Sequence, residues 1–151
     1  MKDFDQHKFK KVFDTNFSGN VHLVLNLLPR MISNGGGRIV FISSAYATKA
    51  KKGRFPYSVS KSALNSLMQY IALEYANQNI LANAVAPGFI ETELTFKNNT
   101  SEGISGITER IPLQKLGTTI DVAMLVEYLG SSNNKYITGQ VINVDGGFSL
   151  T

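Results

Sequence analysis

Three short, strand-like apolar runs separated by stretches of helical spacing limit what this 151-residue chain can fold into. Arg38-Ile39-Val40-Phe41-Ile42-Ser43 and Ile80-Leu81-Ala82-Asn83-Ala84-Val85 are continuous rather than alternating, the pattern of strands buried on both faces of a parallel sheet. Gln140 to Val144 is a third strand. From Phe9 to Met31 the apolar residues Phe9, Val12, Phe13, Phe17, Val21, Val24, Leu28 and Met31 recur at three- and four-residue steps, which predicts one long amphipathic helix. Pro29 is expected to kink its last turn or end it early. Ser60, Leu64, Leu67, Met68, Ile71 and Tyr75 mark a helix from Tyr57 to Asn77, with Pro56 suited to its first turn. Thr118 or Thr119 with Asp121 opens another, running through Val122, Val126 and Leu129 to Gly130. Strands separated in this way by helices predict right-handed parallel crossovers, hence an α/β layered sheet. With no internal repeat or linker, the chain reads as a single domain.

Two stretches fall outside this alternation. Asn34-Gly35-Gly36-Gly37 invites comparison with a phosphate cradle, but such a cradle follows a strand and opens a helix. This one follows a helix and opens a strand, so it reads as a turn. Phe89 to Lys115 has weak periodicity and predicts a long excursion with one or two short helices, a length that usually signals a functional lid or a disordered segment.

Composition removes several function classes. No cysteine is present, which excludes a disulfide scaffold or thiolate-held metal and fits a reducing cytoplasm. His7 and His22 are the only histidines, so no metal site is expected. Charges in Met1-Lys2-Asp3-Phe4-Asp5 argue against a signal peptide, and no apolar stretch approaches the ~18 residues of a membrane span. A soluble, cytoplasmic protein is expected. The net charge of +4 comes largely from Lys8, Lys10 and Lys11 and from Lys49, Lys51, Lys52 and Arg54. Neither group is interleaved with the aromatics that single-strand binders stack on, so nucleic-acid binding is not expected.

The chemistry concentrates on Tyr57 and Lys61. Side chains at i and i+4 share one helix face, which would set the lysine charge beside the phenol and lower the cost of its ionised form. Free tyrosine titrates near ~10 and needs such help to act at neutral pH. Ser44 follows a strand, where ligand crevices of open α/β sheets lie. Ser43 is less suited by register. Asn16 supplies a side-chain amide from the first helix. Together these groups suffice for acid–base chemistry on a carbonyl.

With its elements placed, the chain resembles the short-chain dehydrogenase/reductase family over nearly its whole length. The matching segments are Asn16, Ile42-Ser43-Ser44, Tyr57-Ser58-Val59-Ser60-Lys61, Asn83-Ala84-Val85-Ala86-Pro87-Gly88, and Tyr136-Ile137-Thr138-Gly139-Gln140 through Asp145-Gly146-Gly147. The resemblance implies the C-terminal part of a Rossmann-like, doubly wound parallel sheet. Residues 1–151 would be one catalytic segment lacking the N-terminal glycine-rich part that holds a dinucleotide's pyrophosphate. It further implies NADP or NAD as cofactor, the selecting residue lying in the absent part. Tyr57 would exchange a proton with the substrate oxygen, and Lys61 would tune that phenol and bond the nicotinamide ribose. Ser44 would hold the substrate oxygen, and Asn16 would order a water linking Lys61 to solvent. Pro87, Gly88, Ile90 and Thr92 would meet the nicotinamide carboxamide. Expected partners are a small carbonyl or alcohol substrate, free or carrier-bound, and further copies in a homodimer or homotetramer through the Asn16 and Tyr57 helices. Carbonyl reduction or alcohol oxidation is the implied activity, weak or absent in this segment alone. The alternative is a non-catalytic, self-associating module whose first strand edge is left unpaired.

Overall fold

A computed structural model describes residues 4–151; residues 1–3, part of the charged opening read against a signal peptide, lie outside the described residues. Strand β2 (Ile80–Pro87) is central, with β1 (Gly37–Ile42) on one side and β3 (Val141–Val144) on the other, all parallel. Helix α3 (Phe55–Tyr75) carries the chain from β1 to β2. The excursion, with helices α4 (Glu93–Lys97) and α5 (Ser101–Thr108), and then helix α6 (Thr119–Gly130) carry it on to β3. Alternation along the strands sorts side chains between the two faces. Ile39 and Phe41 join Ala82 and Ala84 under Val24, Leu28, Leu64, Met68 and Ile71 of the helical layer. Helix α6 packs on β1 and β2, with Gly130 backed onto Val40. Of the two expected openings, Thr118 with Asp121 is the one present, and the pair forms a capping box.

One fully buried polar residue interrupts the apolar run of β2. Asn83 accepts from the Gln140 N–H at 3.1 Å and donates to the Ile137 carbonyl at 2.7 Å. Those two bonds pin the loop that delivers β3 into register. A second buried amide, Asn134, shapes the same loop by bonding both the N–H and the carbonyl of Ile137.

Two expectations are corrected. The predicted long helix is three consecutive pieces: α1 (Gln6–Phe13), a π-helical turn over Asp14–Ser18, and α2 (Gly19–Ser33). Pro29 neither ends it early nor breaks it. The carbonyl it leaves free belongs to exposed Leu25, where solvent can satisfy it. Strand β1 is not buried on both faces either: Phe41 alone is fully buried, and Ile42 is 45% exposed. The cause is position, since β1 pairs only with β2 among the described residues and its other edge is open. The triple glycine is the turn expected of it. Gly35 and Gly36 have φ of 87° and 119°, and any side chain at Gly36 would collide with Asn79.

Candidate active site

Strand β1 ends at Ile42, and the chain turns through Ser43 and Ser44 into a single 3₁₀ turn, Ala45–Ala47. The Ser44 hydroxyl accepts from the Tyr46 N–H at 3.2 Å, which leaves its own hydrogen free to donate. Ser43, the neighbour disfavoured by register, is the more deeply buried of the two, and its hydroxyl has no partner. Tyr57 lies in the first turn of α3, whose start is pinned by an aromatic ladder. Phe55 stacks on Phe9 of α1 at 5.8 Å, and Phe9 stacks on Phe13 at 5.4 Å.

Lys61 sits one turn beyond Tyr57, its ammonium nitrogen 5.9 Å from the phenol ring centre. Its hydrogen bond goes elsewhere, to the Ile42 carbonyl at 2.7 Å. The lysine thus joins α3 to the end of β1 rather than resting on the phenol. Burial holds its pKa below the ordinary lysine value. No carboxylate pairs with it: the sole ion pair among the described residues is Lys10–Asp14.

Asn16 occupies the π-helical turn, a distortion frequently found at functional sites. Its side-chain amide donates to the Ser60 hydroxyl at 3.0 Å, and Ser60 donates to the Tyr57 carbonyl at 2.8 Å. The Asn16 carbonyl is taken by the Asn20 amide at 2.9 Å. Asn16 is thereby linked through the Ser60 hydroxyl to the backbone of Tyr57. Ser60, three residues after Tyr57, is the part of this chain that spacing could have singled out and did not.

Ser44 and Tyr57 meet in a cavity of about 220 Å³ whose other walls include Tyr46, Arg54, Phe89, Leu94 and Thr95. The excursion after β2 therefore covers the pocket, as a lid would. Tyr46 was not anticipated; its phenol oxygen is buried without a partner. Of the segment expected to meet the nicotinamide, Gly88 lines this pocket, while Ile90 and Thr92 lie outside its wall and shape the lid. A side chain at Gly88 would strike Asp145, Ile90 bridges to Gly117, and Thr92 caps α4 by accepting from the Thr95 N–H. Pro87 closes β2 opposite Val144. A larger cavity, about 580 Å³, is lined by residues of 112–117 and 143–147 with Asp121, and includes none of Asn16, Ser44, Tyr57 or Lys61.

The basic loop is less free than its composition suggested. Lys49 donates to the Phe148 carbonyl at 3.1 Å and stands 4.6 Å from that ring's centre. Lys51 lies 5.2 Å and 5.5 Å from the ring centres of Tyr46 and Phe89. Among the described residues no cluster of metal-ligating side chains occurs, and no helix is long and apolar enough to cross a membrane.

Comparison with known proteins shows what the chain is similar to. The family model described as Enoyl-(Acyl carrier protein) reductase matches residues 1–149. A 3-oxoacyl-[acyl-carrier-protein] reductase from Rickettsia prowazekii is 40% identical over 150 residues, which are 99% of this chain and 61% of the relative. The acetoin dehydrogenase structure from Enterobacter cloacae superposes with a TM-score of 0.88 at 34% identity, covering 99% of this chain and 59% of its own. ElxO with NADP bound gives a TM-score of 0.93 at 34% identity, covering 100% and 62%. The chain thus spans about three fifths of the length of the relatives it matches.

Proposed function

The chain belongs to the short-chain dehydrogenase/reductase family of oxidoreductases, and we propose that residues 1–151 are the catalytic segment of an enzyme that interconverts a carbonyl and an alcohol on a small molecule. The observation that carries this reading is the shared pocket of Ser44 and Tyr57, brought from the end of β1 and the start of α3, with Lys61 one turn further on. NADP or NAD, when bound, supplies or accepts the hydride. The residues present suit its nicotinamide end. Lys61 has one donor engaged by Ile42 and two more for ribose hydroxyls, and Gly88 and Phe89 line the pocket of Ser44 and Tyr57. Among the described residues no glycine-rich strand–turn–helix is present to grip the pyrophosphate, so this segment alone holds the cofactor weakly.

In the reductive direction negative charge grows on the substrate oxygen, and donors aimed at that charge lower the barrier. Ser44 donates the hydrogen left free by its bond to the Tyr46 N–H. Tyr57 transfers its phenolic proton to the oxygen, and solvent returns one to it. Lys61 places a positive charge on the same side. Asn16 acts through Ser60 by holding the backbone of Tyr57, which makes both of them positioning residues.

A second reading rests on surface. Leu23, Leu25, Leu27, Val59, Tyr70 and Leu73 of α2 and α3 are exposed, enough apolar area to drive self-association into a homodimer or homotetramer. One assay separates the readings: oxidation of excess NADPH, and in parallel of excess NADH, by the purified chain with diacetyl and acetoacetyl-pantetheine, beside Tyr57→Phe. We expect a slow wild-type rate that falls at least about a hundredfold in the variant, the scale of a lost proton donor. Equal rates sink the assignment of Tyr57. No turnover of either ketone leaves the non-catalytic, self-associating module.

A further inference from the structure

Arg54 stands at the start of α3, three residues before Tyr57, and lines the same pocket as Tyr57 and Ser44. Its backbone is fixed by a hydrogen bond from its N–H to the Lys51 carbonyl at 3.1 Å. Its guanidinium makes no ion pair among the described residues. No aspartate or glutamate lines the cavity; the lid's Glu91 and Glu93 lie outside its wall. Lys51 adds a second positive charge behind two of the walls, over the rings of Tyr46 and Phe89. Lys49, by contrast, is committed to Phe148 and the residues after it. A pocket with a guanidinium that no described carboxylate engages, a flanking ammonium and no acidic residue in its described lining suits an anion. The planar fork of arginine matches a carboxylate through two parallel hydrogen bonds. Size narrows the choice: 220 Å³ is below the roughly 300 Å³ at which drug-sized ligand sites begin, so a compact molecule fits.

We propose that Arg54 is a specificity-determining residue that binds the carboxylate of a compact oxo acid or hydroxy acid. The carbonyl or hydroxyl of that acid lies between Ser44 and Tyr57. This rests on the assignment of Ser44 and Tyr57 as the reacting side of the pocket, but its test does not need turnover. The 151-residue chain, with NADPH present, is titrated calorimetrically with beta-hydroxybutyrate, with its methyl ester and with acetoacetyl phosphopantetheine. Wild type, Arg54→Gln, Arg54→Lys and Tyr57→Phe are compared. Arg54 is exposed, so its variants should fold as wild type does. The free acid should bind roughly fivefold more weakly to Arg54→Gln, as expected for one lost exposed charge pair, with partial recovery in Arg54→Lys. The ester should bind weakly and equally to all three. Tyr57→Phe should keep the Arg54-dependent affinity, so a failed reductase assignment and a failed anion site give different results. The proposal is overturned if the free acid does not bind, or if acid and ester lose affinity together in Arg54→Gln. It is equally overturned if only the phosphopantetheine thioester responds to Arg54, which would mean that the residue serves a carrier arm.

Discussion

Strands β1 and β2 are hydrogen-bonded neighbours with similar apolar sequences and opposite surroundings. Every residue of β2 from Ile80 to Ala86 is buried, whereas in β1 only Phe41 is. The contrast is sharpest within one rung: Ile42 pairs in register with Val85, yet Ile42 is 45% exposed and Val85 is 0% exposed. Composition therefore states what a strand is suited to, and its neighbours decide what it receives. The site spans the boundary between these two environments. Tyr57 is anchored to the helical layer over β2, while Ser44 and the carbonyl that holds Lys61 come from the end of β1.

The largest effect is expected on the β2 side. Asn83→Leu removes the partner of the Gln140 N–H and one of the two donors to the Ile137 carbonyl, which keeps its bond from Asn134. The loss should be about 2–4 kcal/mol in urea unfolding, the cost of stranding one donor together with one further lost hydrogen bond. A loss under about 1 kcal/mol would mean that the loop finds other partners. The Ile42 and Val85 rung gives the next test. Val85→Ala should cost about 2 kcal/mol, and Ile42→Ala less than about 1 kcal/mol, because the larger side chain leaves little water-free contact to lose. If the Ile42→Ala penalty rises with protein concentration, the open edge of β1 is covered by a second copy in solution, as such edges tend to be. Equal penalties at all concentrations would show that the two strands do not differ as described.

The physics that made part of this chain legible in sequence is short-ranged. Periodicity found α3 and α6, continuous apolar runs found β1 and β2, and the Thr118–Asp121 pair marked its helix start, because each signal is written within a few residues. Tyr57, Lys61 and Ser44 were legible as chemistry for the same reason, and the structure brings Ser44 and Tyr57 into one pocket. What stayed hidden depends on tertiary neighbours. The π-helical turn at Asn16 shows no local signature, and the route of Asn16 to Ser60 crosses 44 residues. The exposure of Ile42 is set by the strand order, not by Ile42. The attachment of Lys49 and Lys51 to Phe148, Tyr46 and Phe89 likewise depends on rings that are distant in sequence from at least one partner.

The smallest effect falls on Lys61, which joins the two environments. Its pKa is lowered by burial, so the folded state disfavours the charged form relative to the unfolded chain. Between the folded value and the ordinary 10.5, the unfolded state binds more protons, and stability should therefore rise with pH across that window. Below the window the burial cost is fully present. Lys61→Met removes that cost together with the hydrogen bond to Ile42, and a neutral amine can still donate that bond. The stability of the variant relative to wild type should accordingly be highest near neutrality and fall as pH climbs toward 10.5. Urea midpoints of both proteins across that range measure it. A difference independent of pH would mean that Lys61 is as well solvated in the folded chain as in the unfolded one, and that the end of β1 is open to water right up to the pocket.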